Sequence, residues 1–308
     1  MEVVLDGVSK RFGGLQVLDK VSLRLEGKGC FGYLGPNGAG KTTSMKILTS
    51  LIRPSEGRAT INGVDVTRDP AGALSGVASL VEDPEPYPFM TVREFIRFAA
   101  NIRGIDNPPI DQLNHTLDLP PLESKCSRLS KGQKRRVFLG AVLAQDPEVL
   151  ILDEPTAGLD PAESVIFRNL ILEAKKEKLV FISSHLLYEV AQLCEYVTFI
   201  NKGRIVESGR VEDVTRRFSS KAVRVEFNEP VAEEAIRSLQ IRGLATGYAK
   251  EGEKAYTISF DGREETRRAI VDEVVKLGIR NLQDAGLGLE QAFMELMGTP
   301  PTGVRQQP

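Results

Sequence analysis

Three cysteines are all that the 308-residue chain carries. Cys30, Cys126 and Cys194 stand far apart, with no C-x-x-C pair. That pattern supplies neither a disulfide framework nor a metal knuckle, and it suits a reducing compartment. Long apolar runs are missing as well. None approaches the ~18 residues that a membrane-spanning helix needs. The opening residues Met1 to Asp6 lack the basic region and apolar core of a signal peptide. Work at a membrane is therefore expected to require another polypeptide that crosses it. An excess of one charge is also absent, since 40 Lys and Arg face 42 Asp and Glu for a formal net charge of −2. Near-balance argues against an extensive phosphate-tracking surface, and no nucleic-acid partner is expected. No heptad run suggests a coiled coil.

What is present reads as a globular chain, 41% hydrophobic and 27% charged, long enough for one large domain and a small one. The first ~40 residues are strand-like. Val21 to Leu25 alternates, and Cys30 to Leu34 is mostly apolar. A Gly-rich loop at 35–40 opens a helix with Met45, Leu48 and Ile52 on one side. A strand over Val77 to Val81 is followed by a Pro-studded stretch from Pro84 to Pro88. Thr91 and Glu94 make a capping box for a helix that places Val92, Phe95, Ile96 and Ala99 on one face. The whole segment 84–145 reads as helical.

Two solid apolar runs follow, Val149 to Leu152 and Leu179 to Ile182. They are too short for helices and read as parallel strands buried on both faces. Both end in polar, chemically capable residues, at the strand ends where open α/β sheets bind ligands. The charged, Ser-rich stretch 207–221 reads as a linker. Beyond it the pattern predicts strand 222–227, helix 231–239, strand 244–249, strand 255–260, helix 263–277, strand 279–284 and helix 288–297. The order β-α-β-β-α-β suits a small ferredoxin-like unit. The tail 298–308 is expected to be disordered.

Gly35-Pro36-Asn37-Gly38-Ala39-Gly40-Lys41-Thr42-Thr43 matches the phosphate-loop pattern G-x-x-x-x-G-K-S/T. Glycines let backbone N–H groups curl around phosphate oxygens, and the following helix points its positive end at them. Lys41 is placed to reach the β- and γ-phosphates, and the Thr42 hydroxyl to ligate Mg²⁺. The loop alone says only that a nucleotide binds, since kinases, GTPases and many ATPases share it. Asp153 and Glu154 follow the Val149 to Leu152 strand. Asp153 can hold Mg²⁺ through its water shell, and Glu154 can orient and deprotonate the attacking water. An exposed acidic turn after a buried strand is the bland alternative.

Leu129-Ser130-Lys131-Gly132-Gln133 narrows the field. Downstream of the phosphate loop and upstream of Asp153 and Glu154, it resembles the signature loop of ATP-binding cassette ATPases, usually L-S-G-G-Q. Lys131 departs from the pattern. Ser130 and Gln133 also form a capping box for the helix through Val137 and Val142, and the two readings are compatible. Ala157-Gly158-Leu159-Asp160 resembles the family's D-loop. His185, after Ile182-Ser183-Ser184, resembles its switch histidine, whereas His115 reads as structural or solvated. Phe12 matches the aromatic position that stacks on adenine, against the alternative of an ordinary packed Phe. Where the family commonly has Gln, this chain has Glu82, a carboxylate that could still ligand the metal. Leu289 to Leu296 resembles the L-E-x-x-F-x-x-L ending of drug- and polysaccharide-exporter subunits.

The resemblance implies an α/β fold of the P-loop NTPase, cassette type: a β-subdomain, a RecA-like α/β core and an α-helical subdomain. These would occupy residues 1–215, ahead of the small α+β domain at 222–297. It implies ATP and Mg²⁺ as ligands, with Ser130, Gly132 and Gln133 completing the site of a second subunit across which Asp160 lies. That subunit is a second copy or a homologous ATPase. It further implies a polytopic membrane permease docked near Glu82 and the 91–103 helix, and hence a cytoplasmic position on the inner face of the membrane. A cassette ATPase acting on ribosomes or DNA is the competing expectation, though such relatives usually carry two cassettes or a coiled-coil insertion. A nucleotide-sensing module without useful hydrolysis is a third, prompted by Lys131 and Glu82.

Overall fold

A computed structural model describes residues 1–82, 85–157, 161–219, 222–284 and 288–297. It opens with two long strands, β1 (Glu2–Phe12) and β2 (Leu15–Glu26), joined through Gly13 and Gly14. Their antiparallel register sets Val3 against Leu25 and Leu5 against Leu23, so one face is continuously apolar. β3 (Gly29–Leu34) leads into α1 (Lys41–Leu48), followed by β4 (Glu56–Ile61), β5 (Val64–Asp65) and α2 (Pro70–Ala73). β1, β2, β4 and β5 form one antiparallel sheet in the order β2-β1-β4-β5.

β6 (Val77–Leu80) precedes three helices, α3 (Val92–Ile102), α4 (Ile110–Leu117) and α5 (Lys131–Leu143). Thr91 caps α3 with the expected reciprocal bonds to Glu94. Helix does not fill 84–145, however. Pro108, Pro109, Pro120 and Pro121 fall in the breaks, where a ring in place of an N–H stops propagation. His115 is exposed in the last turn of α4.

β7 (Val149–Asp153), α6 (Pro161–Ala174), β8 (Leu179–Ser184), α7 (Leu187–Leu193), β9 (Tyr196–Asn201) and β10 (Arg204–Arg210) complete the second sheet, ordered β10-β9-β3-β8-β7-β6. β9, β3, β8, β7 and β6 pair in parallel. Every residue of β7 and β8 is buried, as a parallel sheet covered on both faces requires. Among the described residues no helix is long and apolar enough to cross a membrane.

The expected linker at 207–221 is corrected by the structure. Its first residues belong to β10, and α8 (Val211–Ser219) follows directly. β10 lies at the sheet edge and alternates exposed with half-buried residues, which reads in sequence as mere polarity. α8 carries Glu212 and Asp213 in its first turn and Arg216 and Arg217 in its last, the charge order that complements the helix dipole.

The chain divides into two compact units at Ser208/Gly209, ahead of the expected limit at 215. The second contains β11 (Ala222–Phe227), α9 (Glu233–Ile241), β12 (Gly247–Lys250), β13 (Ala255–Ser259), α10 (Glu264–Lys276), β14 (Ile279–Asp284) and α11 (Gly288–Met297). Its antiparallel sheet runs β12-β13-β11-β14, the order of a ferredoxin-like unit. Val223, Val225, Phe227, Tyr256 and Ile258 pack with Ile236, Leu239, Ile270 and Val274 as its core. The tail 298–308 lies outside the described residues.

Candidate active site

Strand register brings the chemistry together. Leu34 at the end of β3 pairs with Ser184 on β8, and Ser183 pairs with Asp153 on β7. The residues that follow, Gly35, His185 and Glu154, therefore leave the sheet along one edge. Two glycines of the phosphate loop cannot be replaced without disturbance. A Cβ on Gly35 would stand 2.3 Å from the Ile200 carbonyl oxygen, and Gly40 has φ 110° with Leu18 2.5 Å from an added Cβ. Asn37, Gly38, Ala39, Gly40, Lys41, Thr42 and Thr43 line an open cleft with Val17 and Glu154. The Pro36 carbonyl accepts from Ala39 N–H at 3.1 Å and closes the turn.

Lys41 is buried at 6% exposure, and its Nζ donates to the Gly35 carbonyl at 2.7 Å. It also stands 3.3 Å from Glu154 Oε1, so a buried cation faces a carboxylate. The other oxygen of Glu154 lies 2.7 Å from His185 Nδ1, and His185 N–H donates to it at 3.3 Å. Behind this pair, Ser183 Oγ donates to Asp153 Oδ1 at 2.5 Å and accepts from Glu154 N–H at 2.9 Å. Glu154 has φ 44°, the left-handed region a non-glycine residue seldom occupies. Its backbone carbonyl accepts from Arg135 Nη2 at 2.6 Å and from Ala157 N–H at 3.1 Å. A cation, a carboxylate and an imidazole thus converge on the mouth of a phosphate-shaped loop. Such a site can bind a polyphosphate and deprotonate a water held beside it.

The other expected site residues are distributed around this centre. Phe12 ends β1 half exposed, at 49%, with Lys10 Nζ 4.9 Å from its ring centre. It is therefore no core Phe, and about half of its surface is open to solvent. Ser130 caps α5, accepting from Gln133 N–H at 3.2 Å while its own N–H donates to Gln133 Oε1 at 3.0 Å. Gly132 lies so close to Glu163 that an added Cβ would stand 2.6 Å from Oε1. Glu82 pairs with Lys46 of α1 and is 60% exposed. Asp160 lies outside the described residues. Sequence reasoning missed Ser183 and Arg135. Ser183 left a faint signal as a polar residue inside a buried strand, whereas Arg135 sits in a basic run that reads as a solvated helix face.

A family model described as "ABC transporter" matches residues 18–157. The Nod factor export ATP-binding protein I of Rhizobium etli is 30% identical over 305 residues, covering 94% of this chain and 92% of that protein. The chain belongs to the ATP-binding cassette (ABC) transporter family. A bacitracin transport ATP-binding protein of Bacillus licheniformis is 34% identical over 216 residues, 68% of this chain and 70% of that one. A solved structure of an ATP-binding subunit of an ABC transporter superposes with TM-score 0.66 at 27% identity, over 71% of this chain and 93% of the other. The ABC subunit described here binds and hydrolyses ATP to drive transport, and its α/β cassette is that of the family. These relatives are transport proteins, which disfavours the reading as a ribosome- or DNA-directed ATPase.

Proposed function

We propose that this ABC subunit powers export through a separate polytopic membrane permease, working as one of two cassettes on the inner face of the membrane. The observation that carries the catalytic part is the placement of Glu154 between Lys41 and His185 at the phosphate-loop cleft. Lys41 would leave its loop carbonyls for the β- and γ-phosphates of ATP, and Phe12 would stack on the adenine. Glu154 would take the proton of the attacking water, while His185 holds the carboxylate in place and meets the γ-phosphate. Ser130, Gly132 and Gln133 would cap the γ-phosphate of the partner cassette, with the N-terminus of α5 adding its dipole. Asp160 would lie across the same seam.

The residues fit a Mg²⁺ ion. Asp153 is 5% exposed, with one oxygen held by Ser183, and Thr42 follows Lys41 in the cleft. These are hard oxygen donors. Among the described residues no cluster of three or more His, Cys, Asp or Glu side chains could hold a metal ion. That suits an ion whose remaining ligands are phosphate oxygens and water. When bound, the ion neutralises charge on the β- and γ-oxygens. Glu82 would have to leave Lys46 to join it.

Export is supported by the likeness to the Nod factor export protein over nearly the whole chain. The proposal is tested by purifying the tagged full-length chain from detergent-solubilised membranes and following cargo in inside-out vesicles. A stoichiometric polytopic membrane protein and ATP-dependent uptake into those vesicles are expected. Recovery of ribosomal or nucleoid proteins alone would refute the proposal.

A further inference from the structure

We propose that Arg135 and Ser183 are positioning residues for ATP hydrolysis, together clamping the backbone of Glu154 so that its carboxylate faces the cleft. The inference rests on the reading of Glu154 as the catalytic carboxylate. Glu154 adopts φ 44°, a sparsely populated region for a residue with a Cβ, and bonds to both flanking peptides hold it there. The two peptide groups that flank it are both held from outside their own strand. On one side Ser183, fully buried on β8, accepts the Glu154 N–H at 2.9 Å while donating to Asp153. On the other, the Arg135 guanidinium reaches from α5 to the Glu154 carbonyl at 2.6 Å and the Pro155 carbonyl at 2.8 Å. A planar fork is well matched to two successive carbonyls, because both bonds form from one rigid group. Neither peptide can rotate to relieve the left-handed φ without breaking one of these bonds. The side chain is then aimed between Lys41 and His185 by backbone geometry rather than by its own rotamer alone.

The location of Arg135 adds a consequence. It stands on α5, whose first residues follow Ser130, so the helix that opens at the signature loop is bonded directly to the catalytic residue of its own chain. A shift of α5 transmits to the Glu154 peptide through the guanidinium. The carboxylate is thereby sensitive to the position of the helix.

The test measures single-turnover hydrolysis and Mg-ATP affinity in the full-length chain for R135Q, R135K and S183A, each also combined with E154Q. E154Q alone is read first, because wild-type hydrolysis in that variant would refute the catalytic assignment itself. With that assignment standing, R135Q and S183A are expected to slow hydrolysis roughly 10- to 100-fold, the scale of a small misplacement of a reacting group. In R135Q, Mg-ATP affinity should stay within about threefold, which separates positioning from binding. R135K should recover part of the rate. On the E154Q background neither change should cost more than about twofold, since residues that act through one group are not additive. If R135Q fails to fold by thermal denaturation, R135K carries the affinity comparison and S183A the rate comparison. An unchanged rate in the single variants would overturn the proposal. So would a loss that persists in full on E154Q, or an affinity of R135Q that falls in step with its rate.

Discussion

Two glutamates leave neighbouring strands of the same sheet at the same level and meet opposite circumstances. Leu80 of β6 pairs with Leu152 of β7, and two residues beyond each stands a carboxylate, Glu82 and Glu154. Both have positive φ, 67° and 44°. Glu154 is 24% exposed and held at its N–H, its carbonyl and both oxygens. Glu82 is 60% exposed and, among the described residues, pairs with Lys46. One chain geometry therefore produces a fixed group and a loosely tethered one, and the difference lies in what the adjoining elements bring. β8 and α5 brace the end of β7, whereas among the described residues α1 supplies the partner at the end of β6. A group that removes a proton benefits from the first arrangement. A group that must change partners as nucleotide comes and goes benefits from the second.

The largest effect should come from removing the cation that faces the fixed glutamate. K41A is expected to weaken ATP binding by roughly 10²-fold, the worth of a charge-assisted contact, and to abolish measurable hydrolysis. Titration with a fluorescent ATP analogue checks the first and phosphate release the second. Near-wild-type affinity would mean that Lys41 serves the loop carbonyls rather than the phosphates. A cap on the helical segment serves as an intermediate control. T91A removes the Thr91 half of the α3 capping box and should lower stability by about 1 kcal/mol, leaving ATP affinity unaltered. The smallest effect belongs to the loose glutamate. E82Q breaks an exposed ion pair, so thermal denaturation should shift by no more than about 0.5 kcal/mol. A large loss of Mg²⁺-dependent hydrolysis in E82Q at unchanged stability would sharpen the comparison and place that carboxylate in the metal's shell.

Much of the fold was legible because its signals are local. The runs Val149 to Leu152 and Leu179 to Ile182 are the buried strands β7 and β8, and Thr91/Glu94 and Ser130/Gln133 are both capping boxes. The alternation beyond residue 222 yields the strands and helices of the second unit, with β11, β14 and α11 at the expected limits. The phosphate loop could be read because backbone-driven anion binding needs glycines at fixed spacing. The stretch 207–221 misled because an edge strand half open to solvent carries the composition of a linker. Ser183 and Arg135 were hidden for another reason. Their partners at Glu154 lie 29 and 19 residues away, and no short-range pattern encodes such contacts. The Lys46 pairing of Glu82 spans 36 residues and was equally invisible.

The central claim is that Glu154, held between Lys41 and His185, performs the hydrolytic step. E154Q tests it most directly, by phosphate release and by size-exclusion chromatography with Mg-ATP. Hydrolysis should fall by about 10²-fold or more, the range typical for loss of a positioned general base, while ATP still binds and a dimer accumulates. Turnover at the wild-type rate, with no ATP-stabilised dimer, would contradict the account.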